Sequence, residues 1–256
     1  MKISSISRSK RLAICYPLII GLSLICSVTS AIAWNHWKFV LDHCIERNCG
    51  CFLYGESSRL SFYFVGGHVS FCHFAVYGLA IPIIFGIMFG CFHVYRACIK
   101  TGKRKTGTHT VQQRSGDIVV VTAQSELTDS DVSYQYWITT SVISSLMFFY
   151  TLLYASLYTD GFLQTCREYR SELVKIMIAG GNTVAAIRGR ISCGAVFDFM
   201  DYLHLDITPE RIRDGRINSG ACYYLAIVSS WISVLLWLII VIINIQFARQ
   251  SRVVRV

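Results

Sequence analysis

The chain has 256 residues, of which 54% are hydrophobic and 15% are charged, and its formal net charge is +9. Soluble domains carry about 25% charged residues, so this composition argues against a soluble globular protein. The basic excess forms no stripe interleaved with aromatic residues, so nucleic acid is not expected as a partner. The charges instead lie between long uncharged stretches, a pattern typical of a multi-pass membrane protein.

The first uncharged stretch covers residues 12–33 and is followed by Trp34 and Trp37. Basic residues before it and the Ala31-Ile32-Ala33 triplet also fit a cleaved signal peptide. Its 22 residues exceed the 7–15 of a usual signal-peptide core and suit a membrane span. We therefore expect an uncleaved span. Cleavage would leave three spans without changing the orientation of the rest.

Three further stretches have the length and the absence of charge that a membrane helix requires. They cover residues 71–95, 136–158 and 221–247. Tyrosine and tryptophan residues lie near their ends, where amphipathic rings favour the headgroup zone. The prediction is an all-α membrane protein, in which a single domain forms a four-transmembrane-helix bundle.

The distribution of lysine and arginine predicts the orientation. Basic residues dominate the N-terminal tail, the loop 96–135 and the C-terminal tail, whereas the loop 34–70 balances bases with acids. Because cytosolic segments carry the lysine and arginine excess, both termini and the loop 96–135 are expected in the cytosol. The loops 34–70 and 159–220 would then face outward, in a plasma membrane or a secretory-pathway membrane.

Six of the eleven cysteines fall in or beside the two outward loops, which favours disulfides in an oxidising compartment. Six cysteines allow fifteen pairings, and their spacing alone does not choose among them. Cys44, Cys49 and Cys51, with His36 and His43, also offer zinc-binding atoms, but their spacing matches no zinc finger or ribbon. Disulfides are therefore expected, and no metal or other cofactor is.

Several short motifs carry a resemblance to a known family. Their order and spacing, across most of the chain, resemble the transmembrane protein 179 family. The motifs are Cys51-Phe52-Leu53-Tyr54-Gly55, Phe71-Cys72-His73-Phe74, Tyr95-Arg96-Ala97-Cys98, Ser229-Ser230-Trp231 and Leu236-Trp237.

The resemblance implies four-span proteins with no established enzymatic chemistry. It also implies the disulfide pairs Cys51–Cys72 and Cys166–Cys193. Cys44 and Cys49 go beyond the family's pattern, and their pairing with each other stays open. The cytosolic loop is longer than is usual in the family, so no role is carried over to it.

Small residues in the spans predict close helix packing. Gly86 and Gly90 are four apart, as are Ser229 and Ser233, and such spacing lets helix backbones approach each other. These faces serve either the bundle itself or a membrane partner. A basic cluster follows the second span and either contacts anionic lipid or only fixes topology: Lys100, Lys103, Arg104 and Lys105.

The spans contain no acid, lysine or arginine, so a pore or transporter of its own is the less favoured function. Pro82 is expected to kink the second span. His73 and His93 are expected near the two membrane boundaries in structural roles, and Asn244 near the inner end of the fourth span.

No phosphate-binding loop or nucleophile elbow occurs in the sequence. We therefore predict a non-enzymatic accessory subunit beside a larger membrane partner, such as a channel or receptor. The alternative is a claudin-like adhesion or barrier protein, suggested by Trp34, Trp37, Cys44 and Cys49. A small transporter is the third possibility.

Overall fold

A computed structural model describes residues 5–42, 48–57, 64–98, 107–112, 118–123, 134–178, 180–203 and 217–253. Within these ranges the chain is mostly helical. The helices are α1 (Ser5–Trp37), α2 (Val69–Tyr77), α3 (Ala80–Cys98), α4 (Tyr134–Ile176), α5 (Gly181–Gly189), α6 (Cys193–Leu203) and α7 (Ser219–Val253). The strands are β1 (Cys51–Ser57), β2 (Phe64–Gly67), β3 (Gly107–Gln112) and β4 (Ile118–Ala123).

Four helical segments are long and apolar enough to cross a membrane, and each contains one of the predicted spans completely. They are Lys10–Trp37, Val69–Ala97, Tyr134–Ile176 and Ser219–Arg249. This confirms a helical chain with four apolar helices.

The second segment is interrupted between α2 and α3, one turn before the kink that Pro82 predicts. Proline has no N–H, so the carbonyl of Gly78 lacks its usual helical partner. The hydroxyl of Tyr150 on α4 donates a hydrogen bond to that carbonyl at 2.6 Å, and Tyr154 donates similarly to the carbonyl of Ala75. Two tyrosines of α4 thus supply hydrogen bonds to backbone carbonyls at the interruption between α2 and α3.

The helix α4 continues far beyond the predicted span, into the segment that the sequence assigns to an outward loop. Its 43 residues make it about 65 Å long, more than twice the roughly 30 Å of a hydrocarbon core. The extension is helical because its buried residues recur on one face, at the spacing of an α-helix: Gly161, Phe162, Thr165, Cys166, Tyr169, Glu172 and Leu173.

The bundle is centred on α1 and α7, which pack against each other along their length. The helix α3 packs closely on α1, and α4 packs on α7. Large apolar side chains cover the outer surface, among them Ile84, Leu146 and Leu235. A surface of this kind suits lipid rather than water.

Two β-hairpins correct the all-α prediction. The strands β1 and β2 pair antiparallel with an irregular register between Cys51 and Glu56, and β3 pairs antiparallel with β4 from Gly107↔Ala123 to Gln112↔Ile118. Valine and threonine are frequent in β3 and β4, and these β-branched residues favour extended backbone. Apolar length, the signal used to find the spans, does not detect such short strands.

Candidate functional site

The first candidate region is a disulfide-tied domain at one end of the bundle, made of β1, β2, α5, α6 and the part of α4 beyond Tyr158. Cys51 is bonded to Cys72, with an S–S distance of 2.07 Å, and Cys166 is bonded to Cys193, with a distance of 2.03 Å. These are the pairs that the family resemblance implies. They fasten β1 to α2 and α6 to α4.

The remaining cysteines of the predicted outward loops are only partly described. Cys49 also takes part in a disulfide, while Cys44 lies outside the described residues. A disulfide sulfur is not a thiolate, so Cys49 and Cys51 do not provide zinc ligands in this state. Across the described ranges, no group of three or more His, Cys, Asp or Glu side chains is arranged to hold a metal ion.

The extension of α4 is the platform on which β1 lies. The backbone N–H of Gly55 donates to Thr165 Oγ1 at 2.9 Å, and the Tyr54 hydroxyl donates to the Leu157 carbonyl at 3.0 Å. A Cβ atom at Gly161 would stand 2.7 Å from the Tyr54 ring, so glycine permits this close approach. Burial, followed by the nearby Asp160 carboxylate, raises the pKa of the Tyr54 phenol.

A charged group anchors the far end of β1. The buried Glu172 carboxylate accepts hydrogen bonds from Ser57 Oγ at 2.6 Å and from Lys175 Nζ at 3.0 Å. Lys175 Nζ also donates to Ser57 Oγ at 2.6 Å. Because the serine hydroxyl is held between the ammonium and the carboxylate, the arrangement ties β1 to α4.

The end of α4 presents an apolar tip, made of Ile176, Met177 and Ile178. Ile178 is 92% exposed and has a φ of 46°, which is rare for a β-branched residue. The tip lies 18 residues beyond Tyr158, or about 27 Å along the helix axis. Contiguous exposed apolar side chains of this kind mark interaction sites when they face water.

The second candidate region lies in the terminal half of the bundle, where α1 begins and α7 ends. It is a polar cluster of Tyr16, His93, Ser144, Trp237 and Asn244, each buried and together drawn from α1, α3, α4 and α7. The His93 ring stacks on Tyr16, with centroids 5.6 Å apart and an interplanar angle of 9°. The Trp237 ring meets Tyr16 edge-on at 6.1 Å.

Hydrogen bonding in the polar cluster is incomplete. Asn244 Nδ2 donates to Ser144 Oγ at 3.0 Å, and Ser144 Oγ donates to the Thr140 carbonyl at 2.7 Å. The Tyr16 hydroxyl lies beside Asn244 and Ser144, yet it makes no hydrogen bond of acceptable geometry with described groups. Both His93 ring nitrogens, Trp237 Nε1 and Asn244 Oδ1 likewise lack a partner in the described part of the chain.

The small residues predicted for helix packing face other helices of this chain. A Cβ at Gly86 would lie 3.1 Å from Ile20 Cγ1, and one at Gly90 would lie 3.1 Å from Tyr16 Cβ, so both glycines seat α3 on α1. Ser229 and Ser233 are buried on α7. The predicted lipid-contact residues lie outside the described residues: Lys100, Lys103, Arg104 and Lys105.

The sequence did not predict the polar cluster. His93, which was expected near a membrane boundary in a structural role, is fully buried between the rings of Tyr16 and Trp137. Tyr16, His93 and Asn244 all lie within a few residues of the same predicted face of the bundle. Their similar depth in the bundle was the one signal available in the sequence. It does not predict a cluster without knowing which way each side chain points.

The comparisons give no further identification of these regions. A scan against family models, a search of curated proteins and a search of solved structures each found no match to the chain.

Proposed function

We propose that the chain is a non-enzymatic, four-span membrane protein that acts as an accessory subunit beside a larger membrane partner, such as a channel or receptor. In this proposal both termini and the loop 96–135 face the cytosol, and the disulfide-tied domain faces outward. Membership in the transmembrane protein 179 family belongs to the same proposal. The four apolar helices and the lysine and arginine distribution support the membrane topology.

One observation carries the accessory role. The apolar tip lies about 27 Å beyond Tyr158 along a continuous helix, and a disulfide ties Cys166 of that helix to α6. The packing positions Gly86, Gly90, Ser229 and Ser233 are used within the bundle, so they are not the surface left for a partner. The outward part of a membrane partner is the surface that the apolar tip would meet.

Purification from native membranes in mild detergent tests the accessory role. We expect the wild-type chain to retain a stoichiometric membrane partner and Ile178→Asp to lose it, because a charge at the apolar tip opposes burial. Ala185→Asp, on an exposed position of α5, is the matched control and should retain the partner. Recovery of the wild-type chain as a lone monomer would contradict the proposal.

Engineered glycosylation tests the orientation separately. Val184→Thr creates an acceptor triplet that begins at Asn182, and Gln113→Asn creates one that ends at Ser115. We expect a glycosidase-sensitive mass increase for the first variant only, because its site would face the oxidising compartment. Glycosylation at the second site would contradict the proposed topology and indicate the opposite orientation.

The claudin-like alternative is less well supported. That alternative expects the cysteine pair within the first loop, whereas Cys51 is bonded to Cys72 at the start of the second apolar segment. The disulfide of Cys49 keeps a first-loop pair possible. A cell-aggregation assay distinguishes the two functions, because an adhesion protein would join cells that express only this chain.

A further inference from the structure

The accessory function does not explain why several polar atoms of the polar cluster are buried without a hydrogen-bond partner among the described residues. Five polar atoms are buried without a hydrogen-bond partner among the described residues: Tyr16 Oη, His93 Nδ1, His93 Nε2, Trp237 Nε1 and Asn244 Oδ1. Leaving one such group unsatisfied costs about 1–3 kcal/mol, and water is scarce around a bundle in lipid. Native proteins seldom leave several such atoms unsatisfied at one level.

The chemistry of these atoms selects the occupant that would satisfy them. Tyr16 Oη, Trp237 Nε1 and one nitrogen of a neutral His93 are donors, whereas Asn244 Oδ1 and the other His93 nitrogen are acceptors. The occupant must therefore both donate and accept hydrogen bonds.

An ion fits this set poorly. The Arg96 guanidinium lies 5.9 Å from the centroid of the Trp137 ring, and that ring lies 6.2 Å from His93, so a cation would meet a nearby positive charge. An anion would face the Asn244 carbonyl oxygen and the acceptor nitrogen of His93. A neutral molecule with two donors and two acceptors meets neither obstacle.

We propose that the polar cluster is an internal water-binding site, in which ordered water bridges Tyr16, His93, Trp237 and Asn244. Buried waters typically make about three hydrogen bonds to otherwise unsatisfied polar groups, and the cluster supplies such groups from α1, α3 and α7. The site places water against a buried imidazole inside the bundle. It is independent of the accessory role.

Radiolytic hydroxyl-radical labelling of the full-length protein in lipid nanodiscs tests this site, because radicals formed from bound water oxidise the side chains beside it. We expect Tyr16 and Trp237 to be oxidised severalfold faster than Tyr154. Tyr154 is the matched control, since it is equally buried but its hydroxyl donates to the Ala75 carbonyl. Labelling of Tyr16 and Trp237 as slow as that of Tyr154 would overturn the proposal.

A variant separates bound water from general solvent entry. Asn244→Leu removes an acceptor and fills space with an apolar group, so Tyr16 labelling should fall severalfold while labelling of exposed Tyr77 stays unchanged. Unchanged labelling of Tyr16 in a folded variant would contradict a water site built on Asn244. If the variant does not fold, the wild-type comparison between Tyr16 and Tyr154 decides alone.

Discussion

Both ends of the bundle bury tyrosine and tryptophan side chains, but some of these differ in whether a described residue satisfies their polar atom. Beside the disulfide-tied domain, two such groups are paired within the protein: Ser30 Oγ donates to the Tyr158 hydroxyl at 3.0 Å, and Trp37 Nε1 donates to Ser219 Oγ at 2.9 Å. In the polar cluster, Tyr16 and Trp237 are equally buried but unpartnered among described groups. A buried tyrosine or tryptophan of this chain can therefore be paired within the protein, and Tyr16 and Trp237 differ from Tyr158 and Trp37 in this respect.

The largest effect should come from the covalent ties that only the first end has. Replacing both Cys166 and Cys193 by serine should lower the free energy of unfolding by about 3 kcal/mol, because the bond closes a loop of roughly 27 residues. Thermal unfolding in detergent measures the loss. Cys91→Ser, at an exposed free cysteine, should leave the transition unchanged. Equal stability of the two variants would contradict the stabilising role of the Cys166–Cys193 disulfide.

A somewhat smaller effect should show how tightly the terminal half is packed around the polar cluster. Gly90→Val would push against Tyr16 Cβ and should lower the free energy of unfolding by about 2 kcal/mol. Gly21→Val is the matched change on α1, where a Cβ meets nothing within 4 Å, and it should be neutral or stabilising. Equal losses in the two variants would mean that α1 and α3 do not meet closely at Tyr16.

Removing one hydroxyl at each end compares the two states directly. Tyr154→Phe loses the hydrogen bond to the Ala75 carbonyl and should cost about 1 kcal/mol of unfolding free energy. Tyr16→Phe should cost less, because its hydroxyl has no direct protein partner in the described residues. Chemical denaturation of both variants gives the difference, and a greater loss at Tyr16 would contradict the contrast.

The smallest effect is expected at the charged anchor of β1. Lys175→Arg keeps a positive charge beside the buried Glu172 carboxylate and changes only the hydrogen-bond geometry, so it should destabilise the chain by less than about 1 kcal/mol; Lys175 is 42% exposed. Arg167→Met, also exposed on the extension of α4, serves as the control. Limited proteolysis near β1 should increase for the first variant only.

The sequence predicted the four apolar helices because length and absence of charge are strong local signals. It did not predict the extension of α4, since arginines and acids around Arg167, Glu168 and Arg170 resemble a solvated loop until their helical spacing is considered. The β-hairpins are short and fall between spans, where hydropathy carries no information about strands.

The polar cluster could not be predicted from the sequence for a different reason. Tyr16, His93 and Asn244 each look like an ordinary residue near the end of a span, and they belong to three separate helices. Only the rotation of each helix about its axis decides that they face inward together. In the disulfide-tied domain, by contrast, the sequence alone predicted disulfides from the cysteines of the two loops. Their pairing was predicted from the family resemblance and not from their spacing.

The uninterrupted length of α4 has a mechanical consequence. The helix carries Ser144 of the polar cluster, with Trp137 beside it, and ends at the apolar tip, so the two regions share one continuous helix. With about 50 Å of rigid helix between Ser144 and Ile176, a tilt of about 5° displaces the tip by roughly 4 Å. Any tilt of α4 at the level of the polar cluster would therefore also move the apolar tip.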